Sequence, residues 1–111
     1  MDNNDLVGLK KIDELSKLID LEVGDIAPSV YFERGIEYKN LGSHEKAIDD
    51  YTSVIDKDPD HYEAYCERGF SYGVLGDHSK AINDFTQAIK IEPSPSAFYN
   101  RGIAFRTIGQ Y

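Results

Sequence analysis

The side chains able to move protons, attack a carbonyl or hold a metal are few. They are three histidines (His44, His61 and His78), one cysteine (Cys66) and two tight carboxylate groups, Asp49-Asp50 and Asp56-Lys57-Asp58. Metal ligation requires convergent donors at set spacings, such as Cys-x-x-Cys or His-Glu-x-x-His, and neither pattern occurs. His44 and His78 stand 34 residues apart, an interval that internal repetition explains without a shared site. The run from Gly69 to Gly76 holds three glycines, Gly69, Gly73 and Gly76, but lacks the phosphate-cradling order and follows no strand. The aspartate clusters read as solvated outer faces of helices. Cys66 has no histidine beside it and reads as a packing residue. These side chains predict no enzyme, no metal site and no cofactor.

The bulk properties narrow the class further. The chain has 111 residues with 12 Lys+Arg against 20 Asp+Glu, a formal charge of -8. Nucleic-acid binding needs cations to replace phosphate counterions, and an anionic lipid surface asks for the same, so no nucleic acid and no membrane is expected as a partner. No apolar run nears the ~20 residues of a membrane span, and the start, MDNNDLVGLKK, has no signal-peptide core. One cysteine excludes an internal disulfide framework and fits a reducing compartment. A cytoplasmic address is the expectation.

What must position these residues is a repeat. Tyr31 to Pro59 and Tyr65 to Pro93 align without a gap at an offset of 34, with Tyr, Glu, Arg, Gly, Leu, His, Ala, Ile, Asp and Pro recurring in order. A third copy opens at Phe98, with Arg101-Gly102 following Arg68-Gly69 by 33. Apolar residues at spacings of three and four predict two helices per unit. The first runs from Pro28 to about Leu41 and ends at Gly42, and Ser43 caps the next, which closes at Asp58-Pro59. In the second unit Asp60 and Glu63 suggest a capping box, Gly76 ends the first helix, Asp77 caps the second and Pro93 terminates it. Ser94-Pro95 then opens a last helix over about 96–108. Gly35 and Gly69 fall mid-helix, which predicts close approach of the paired helix, with Ala47 and Ala81 opposite. No run alternates with period two, so no sheet is expected.

This pattern resembles the tetratricopeptide repeat. Its carriers are Tyr31, Gly35, Tyr38, Gly42, Ala47, Tyr51 and Pro59 in the first copy. The second has Tyr65, Gly69, Tyr72, Gly76, Ala81, Phe85, Ala88 and Pro93, and the third has Phe98, Gly102, Phe105, Gly109 and Tyr111. Arg34, Arg68 and Arg101 replace a more usual leucine, and His44 and His78 a more usual aromatic. The resemblance implies an all-α, right-handed superhelical solenoid of antiparallel helix hairpins. Two full repeats (28–61 and 62–94) would be followed by a half repeat (95–111) and preceded by a separate arm (1–27).

The resemblance also implies a protein–protein interaction scaffold whose first helices line a concave groove for a partner's peptide or helix. Carried over by position, the groove would comprise Ser29, Phe32, Ile36, Lys39 and Asn40, then Glu63, Cys66, Phe70, Gly73 and Val74, then Ser96, Tyr99, Ile103, Arg106 and Thr107. The apolar members lie away from each helix's glycine-and-tyrosine stripe, so they either bind a ligand or pack between neighbouring repeats. A subclass of this family clamps chaperone C-terminal carboxylates with basic and amide side chains. Phe32, Ile36 and Glu67 hold the matching places here, leaving only Asn100 and Arg106 polar or basic, so no such clamp is expected.

In the arm, Leu9, Ile12, Leu15, Ile19 and Val23 share one helical face, and Leu18 and Leu21 widen it, predicting a helix from Leu6 to Glu22. It would cap the first repeat, fill the groove in cis, or dimerise. The third unit lacks a second helix, which suggests a piece of a longer array, or a homo-oligomer held by that unit or by the arm. A small chaperone for a secreted protein is a further alternative.

Overall fold

The computed structural model describes residues 2–21 and 25–109. Among the described residues six helices follow one another: α1 (Asn3–Asp20), α2 (Pro28–Asn40), α3 (His44–Lys57), α4 (Tyr62–Val74), α5 (His78–Ile91) and α6 (Pro95–Thr107). The described residues contain no strand. Helices α2 and α3 form one hairpin and α4 and α5 the next, and each new hairpin stacks on the second helix of the one before. The result is a slab of 46 × 34 × 20 Å, a tetratricopeptide-like solenoid. Glu22, Val23 and Tyr111, which the sequence reading used, lie outside the described residues.

The turns within the hairpins follow from two glycines. Gly42 and Gly76 adopt φ of +81° and +87°, a region that costs glycine nothing. This lets the Ser43 amide donate to the Tyr38 carbonyl and the Asp77 amide to the Tyr72 carbonyl, at 2.8 and 2.9 Å. The last carbonyls of α2 and α4 are thereby satisfied, and the chain reverses within three residues.

Two capping expectations change. Helix α4 is capped by His61, whose Nδ1 accepts from the Ala64 amide at 3.1 Å, and not by an Asp60–Glu63 box. The Asp60 amide is already engaged by Asp58 Oδ1, which moves the helix start one residue on. Ser43 occupies the N-cap place of α3 without a side-chain bond. Asp77 and Ser94 cap α5 and α6 as their sequences imply.

The close approach at the mid-helix glycines is present, but rings meet them. A Cβ on Gly35 would lie 2.6 Å from Cε1 of Tyr51, and one on Gly69 would lie 3.0 Å from Cε1 of Phe85. Ala47 and Ala81 are fully buried beside these contacts. The aromatic ring one turn along is the group that needs the missing side chain.

Arg34 and Arg68 explain their own recurrence. Arg34 donates through Nε and Nη2 to both carboxylate oxygens of Asp50, at 2.8 and 2.7 Å. Arg68 does the same to Asp84, at 2.8 Å for each bond. Asp50 is therefore buried and ion-paired, not part of a solvated outer face; Asp49 and Asp56 are exposed as expected. Burial pushes the Asp84 carboxyl above the usual aspartate range, and Arg68 pulls it partly back. Each arginine also reaches the preceding helix. Nη1 of Arg34, Arg68 and Arg101 donates to Ser16, Thr52 and Thr86 respectively.

That last series locates α1. Ser16 stands to Arg34 as Thr52 stands to Arg68, so α1 packs on α2 as the second helix of a preceding hairpin would. It buries Gly8, Ile12 and Leu15 against α2 and leaves Leu9, Leu18 and Leu21 exposed. Among the alternatives for the arm, occupation of the groove is thereby overturned. The helix begins at Asn3 because Asp2 caps it through the Asp5 amide.

Tyr51 carries a cost that its counterpart avoids. Its hydroxyl is fully buried and finds no hydrogen-bond partner among the described residues, whereas the next repeat places Phe85 there. Burial holds the phenol well above its ordinary pKa. Tyr51→Phe should raise the unfolding free energy by about 1 kcal/mol, since an unsatisfied buried hydroxyl costs roughly 1–3. Urea titration reads this directly, and a destabilised variant would show that the hydroxyl is satisfied.

Candidate protein-binding groove

Helices α2, α4 and α6 present one side chain series to a common face. Phe70, Val74, Tyr99 and Ile103 are 49, 53, 69 and 41% exposed, large apolar groups that the solenoid does not use. Asn40, Glu63 and Arg106 are also exposed, together with Ser29, Ser96 and Thr107. Ile36 and Gly73 are half-buried.

Phe32 does not join this exposed set. Its ring packs against Tyr51 and His61, with centroids 5.8 and 5.1 Å apart, so it seals the junction between the first two repeats. This is the inter-repeat packing that the sequence left open for these residues.

The two junctions between repeats differ because four residues differ. At the first, the Lys39 ammonium donates to Glu67 at 2.8 Å and lies 6.0 Å over the Phe70 ring. His44 Nδ1 lies 3.2 Å from the Ser71 hydroxyl, so α3 and α4 are tied there. At the second junction Gly73 stands in place of Lys39, Asn100 in place of Glu67, Ile103 in place of Phe70 and Ala104 in place of Ser71. No bridge forms among these, and a cavity of about 230 Å³ opens between α4, α5 and α6. Its mouth carries Phe70, Val74, Ile103 and Thr107, and its floor is Gly69, Ala81, Phe85 and Ala104. A second depression of about 250 Å³ beside it is lined by Lys39, Cys66, Glu67, Ser96 and Asn100, with Phe70 shared.

Cys66 sits half-buried in that depression. Burial pushes its thiol up, and a hydrogen bond from Tyr62 offsets this in part. A thiol held protonated is a poor nucleophile, which fits a packing role for the side chain. Among the described residues no three His, Cys, Asp or Glu side chains are grouped to hold a metal ion. Among the described residues no helix is long and apolar enough to cross a membrane.

Neither the Arg–Asp pairs nor the cavity was picked out from the sequence. The pairs had a signal, because Arg34 and Asp50 recur together as Arg68 and Asp84, 16 residues apart each time. The cavity had a weaker one, the loss of Lys39 and Ser71 at the corresponding places of the following unit.

The geometry defines a class: stacked helix hairpins that share one continuous face. Two family models described as tetratricopeptide repeat match residues 28–61 and 62–95. The chain belongs to the tetratricopeptide repeat family, whose members are protein-interaction modules. A crystal structure of MamA is similar at 26% identity and TM-score 0.83, covering 88% of this chain and 57% of that one. A second MamA crystal structure gives 25% identity, TM-score 0.86, and 92% and 55% coverage. This chain thus spans little more than half the length of either. The second repeat domain of Spaghetti (RPAP3), bound to the HSP90 peptide SRMEEVD, is 31% identical with TM-score 0.71, covering 74% of this chain and 77% of that one. No curated protein matches the chain.

Proposed function

We propose that this chain binds a segment of a partner protein across α2, α4 and α6, anchored by one bulky apolar side chain in the cavity beside Phe70. The open cavity carries this reading. An apolar cavity of about 150 Å³ accepts benzene, so about 230 Å³ is room for a phenylalanine, leucine or methionine side chain. Exposed Val74, Ile103 and Tyr99 around the mouth extend the apolar contact, as the groove of a helix-binding protein does. A repeat domain among the similar structures is bound to a peptide, which supports a peptide or protein segment as the ligand class.

The ligand's charge should differ from that peptide's. Lys39 is already committed to Glu67, Glu63 is exposed, and Arg106 is exposed with no ion-pair partner among the described residues. Little positive charge is left to hold an acidic tail and its terminal carboxylate. SRMEEVD itself should give no saturable binding.

Pull-down from the source lysate with the wild type and Phe70→Glu tests the reading. A central aromatic anchor is worth ~2 kcal/mol or more, so the captured segment should bind the variant at least about 30-fold more weakly. Bound segment should also slow alkylation of Cys66, which lines the same face. Circular dichroism confirms that the variant stays helical. Equal capture by both proteins rejects the groove.

A further inference from the structure

We propose that the bound segment carries a lysine or arginine beside its apolar anchor, seated in the depression next to the cavity, where Glu63 and Glu67 outnumber Lys39. The proposal rests on the groove reading and adds the chemistry of the ligand. The cavity and the depression share two lining residues, Phe70 and Asn100. A side chain in one is therefore a direct neighbour of a side chain in the other. On a bound helix the two would stand three or four residues apart, and on an extended segment two apart.

The two hollows differ in kind. The cavity floor of Gly69, Ala81, Phe85 and Ala104 takes an apolar group. The depression is polar on both sides: α4 contributes Glu67, and α6 contributes Ser96 and Asn100. Glu63 stands one turn before Glu67 on the same face of α4 and is exposed. Cys66, which also lines the depression, feels both carboxylates. Burial pushes its thiol up most, a hydrogen bond from Tyr62 offsets this in part, and the charges of Glu67 and Glu63 push it further.

The charges do not balance. Two carboxylates meet one ammonium, that of Lys39, which donates to Glu67 at 2.8 Å and lies 6.0 Å over the Phe70 ring. That contact already displays the chemistry the depression accepts, a cation held between a carboxylate and an aromatic face. Glu63 receives no such partner among the described residues. His61 Nδ1 lies 3.7 Å from it, but that nitrogen accepts from the Ala64 amide. It therefore carries no proton, and the imidazole lends Glu63 no charge. Asn100, half-buried on the opposite side, adds a carbonyl oxygen able to accept. A second cation entering here meets Glu63 and Asn100 while Lys39 keeps Glu67. The formal charge of -8 on the whole chain favours the approach of such a segment and opposes that of an acidic one.

Panning a random dodecapeptide library on the full chain tests this, followed by fluorescence anisotropy with one selected peptide. Selected peptides should carry Lys or Arg within four residues of a Phe, Leu or Met. Glu63→Lys should weaken the peptide about 5-fold, the upper range for an exposed charge pair. Asn100→Glu should tighten it by a similar factor, a gain that a misfolded protein cannot give. Phe70→Ala removes the wall of the cavity without changing charge and should cost at least about 30-fold. Peptides that need Phe70 but show no basic preference, or an acidic one, overturn the proposal and leave the groove standing. So does indifference to Glu63→Lys or to Asn100→Glu. Peptides indifferent to Phe70→Ala reject the groove itself and the proposal with it, as does a library that yields no binder.

Discussion

Replacing Asp84 by alanine lowers the unfolding free energy by about 3 kcal/mol, the low end of the range for stripping one partner from a buried ion pair. The cause is what remains. Arg68 cannot deprotonate at any working pH, so its guanidinium stays charged in a site where only 18% of the side chain meets water. It loses two charge-assisted bonds at once and keeps only Thr52 and the faces of Tyr65 and Tyr72. Arg68→Met combined with Asp84→Leu should recover most of the loss, because well-packed apolar side chains remove the orphaned charge with the pair. Urea titrations of the wild type, Arg68→Met, Asp84→Leu and the double variant close the cycle, with Asp84→Ala measured beside them. A single-variant loss below ~1 kcal/mol, or a double variant no more stable than Asp84→Ala, would show that water reaches the guanidinium more freely than its exposure implies.

Gly35→Ala should destabilise by about 2 kcal/mol, against the sign that helix propensity alone gives. In an open helix interior the change from glycine to alanine gains up to ~1 kcal/mol. Here the added methyl would stand 2.6 Å from the Tyr51 ring, and that ring is fully buried and cannot swing aside. Forcing the hairpin open costs ~1–3 kcal/mol beyond the propensity gain. Gly102→Ala is the matched control: same helix type, same register, but nothing within 4 Å. It should gain stability. For a chain of this size ~1 kcal/mol moves Tm by about 4 °C, so the two variants should bracket the wild type in one thermal scan. Two shifts of the same sign would remove ring contact as the reason for glycine at position 35.

The hairpins were legible because their signals are local. Gly42 and Gly76 mark helix ends wherever the rest of the chain goes, and a period of 34 residues exposes the unit without knowledge of contacts. What escaped depends on a second helix. Asp50 looks like a surface carboxylate in its own helix, and only the arginine brought in from α2 makes it a core residue. Phe32 sits in the groove register, yet His61 and Tyr51 arrive from two other elements to enclose it. The exposed members of the proposed groove, Phe70, Val74, Tyr99 and Ile103, were readable because they fall off each helix's packing stripe and stay largely open to solvent. The cavity is a difference between two junctions, visible only when both are built. Helix α1 carries no recognisable repeat sequence at all, and the single bond from Arg34 to Ser16 reveals its place.

Packing between consecutive helices also sets how this chain reaches its fold. Apart from a light touch of α4 on α6, every substantial interface joins one helix to the next along the chain. Few contacts then require distant segments to meet, so little loop-closure entropy opposes the first productive encounter. Chains of such low contact order fold in microseconds to milliseconds. Folding can start at whichever hairpin closes first, α2–α3 or α4–α5, and spread outward. The order of events should therefore shift with mutations in one hairpin or the other, a freedom that folds knit by remote strand pairing do not have.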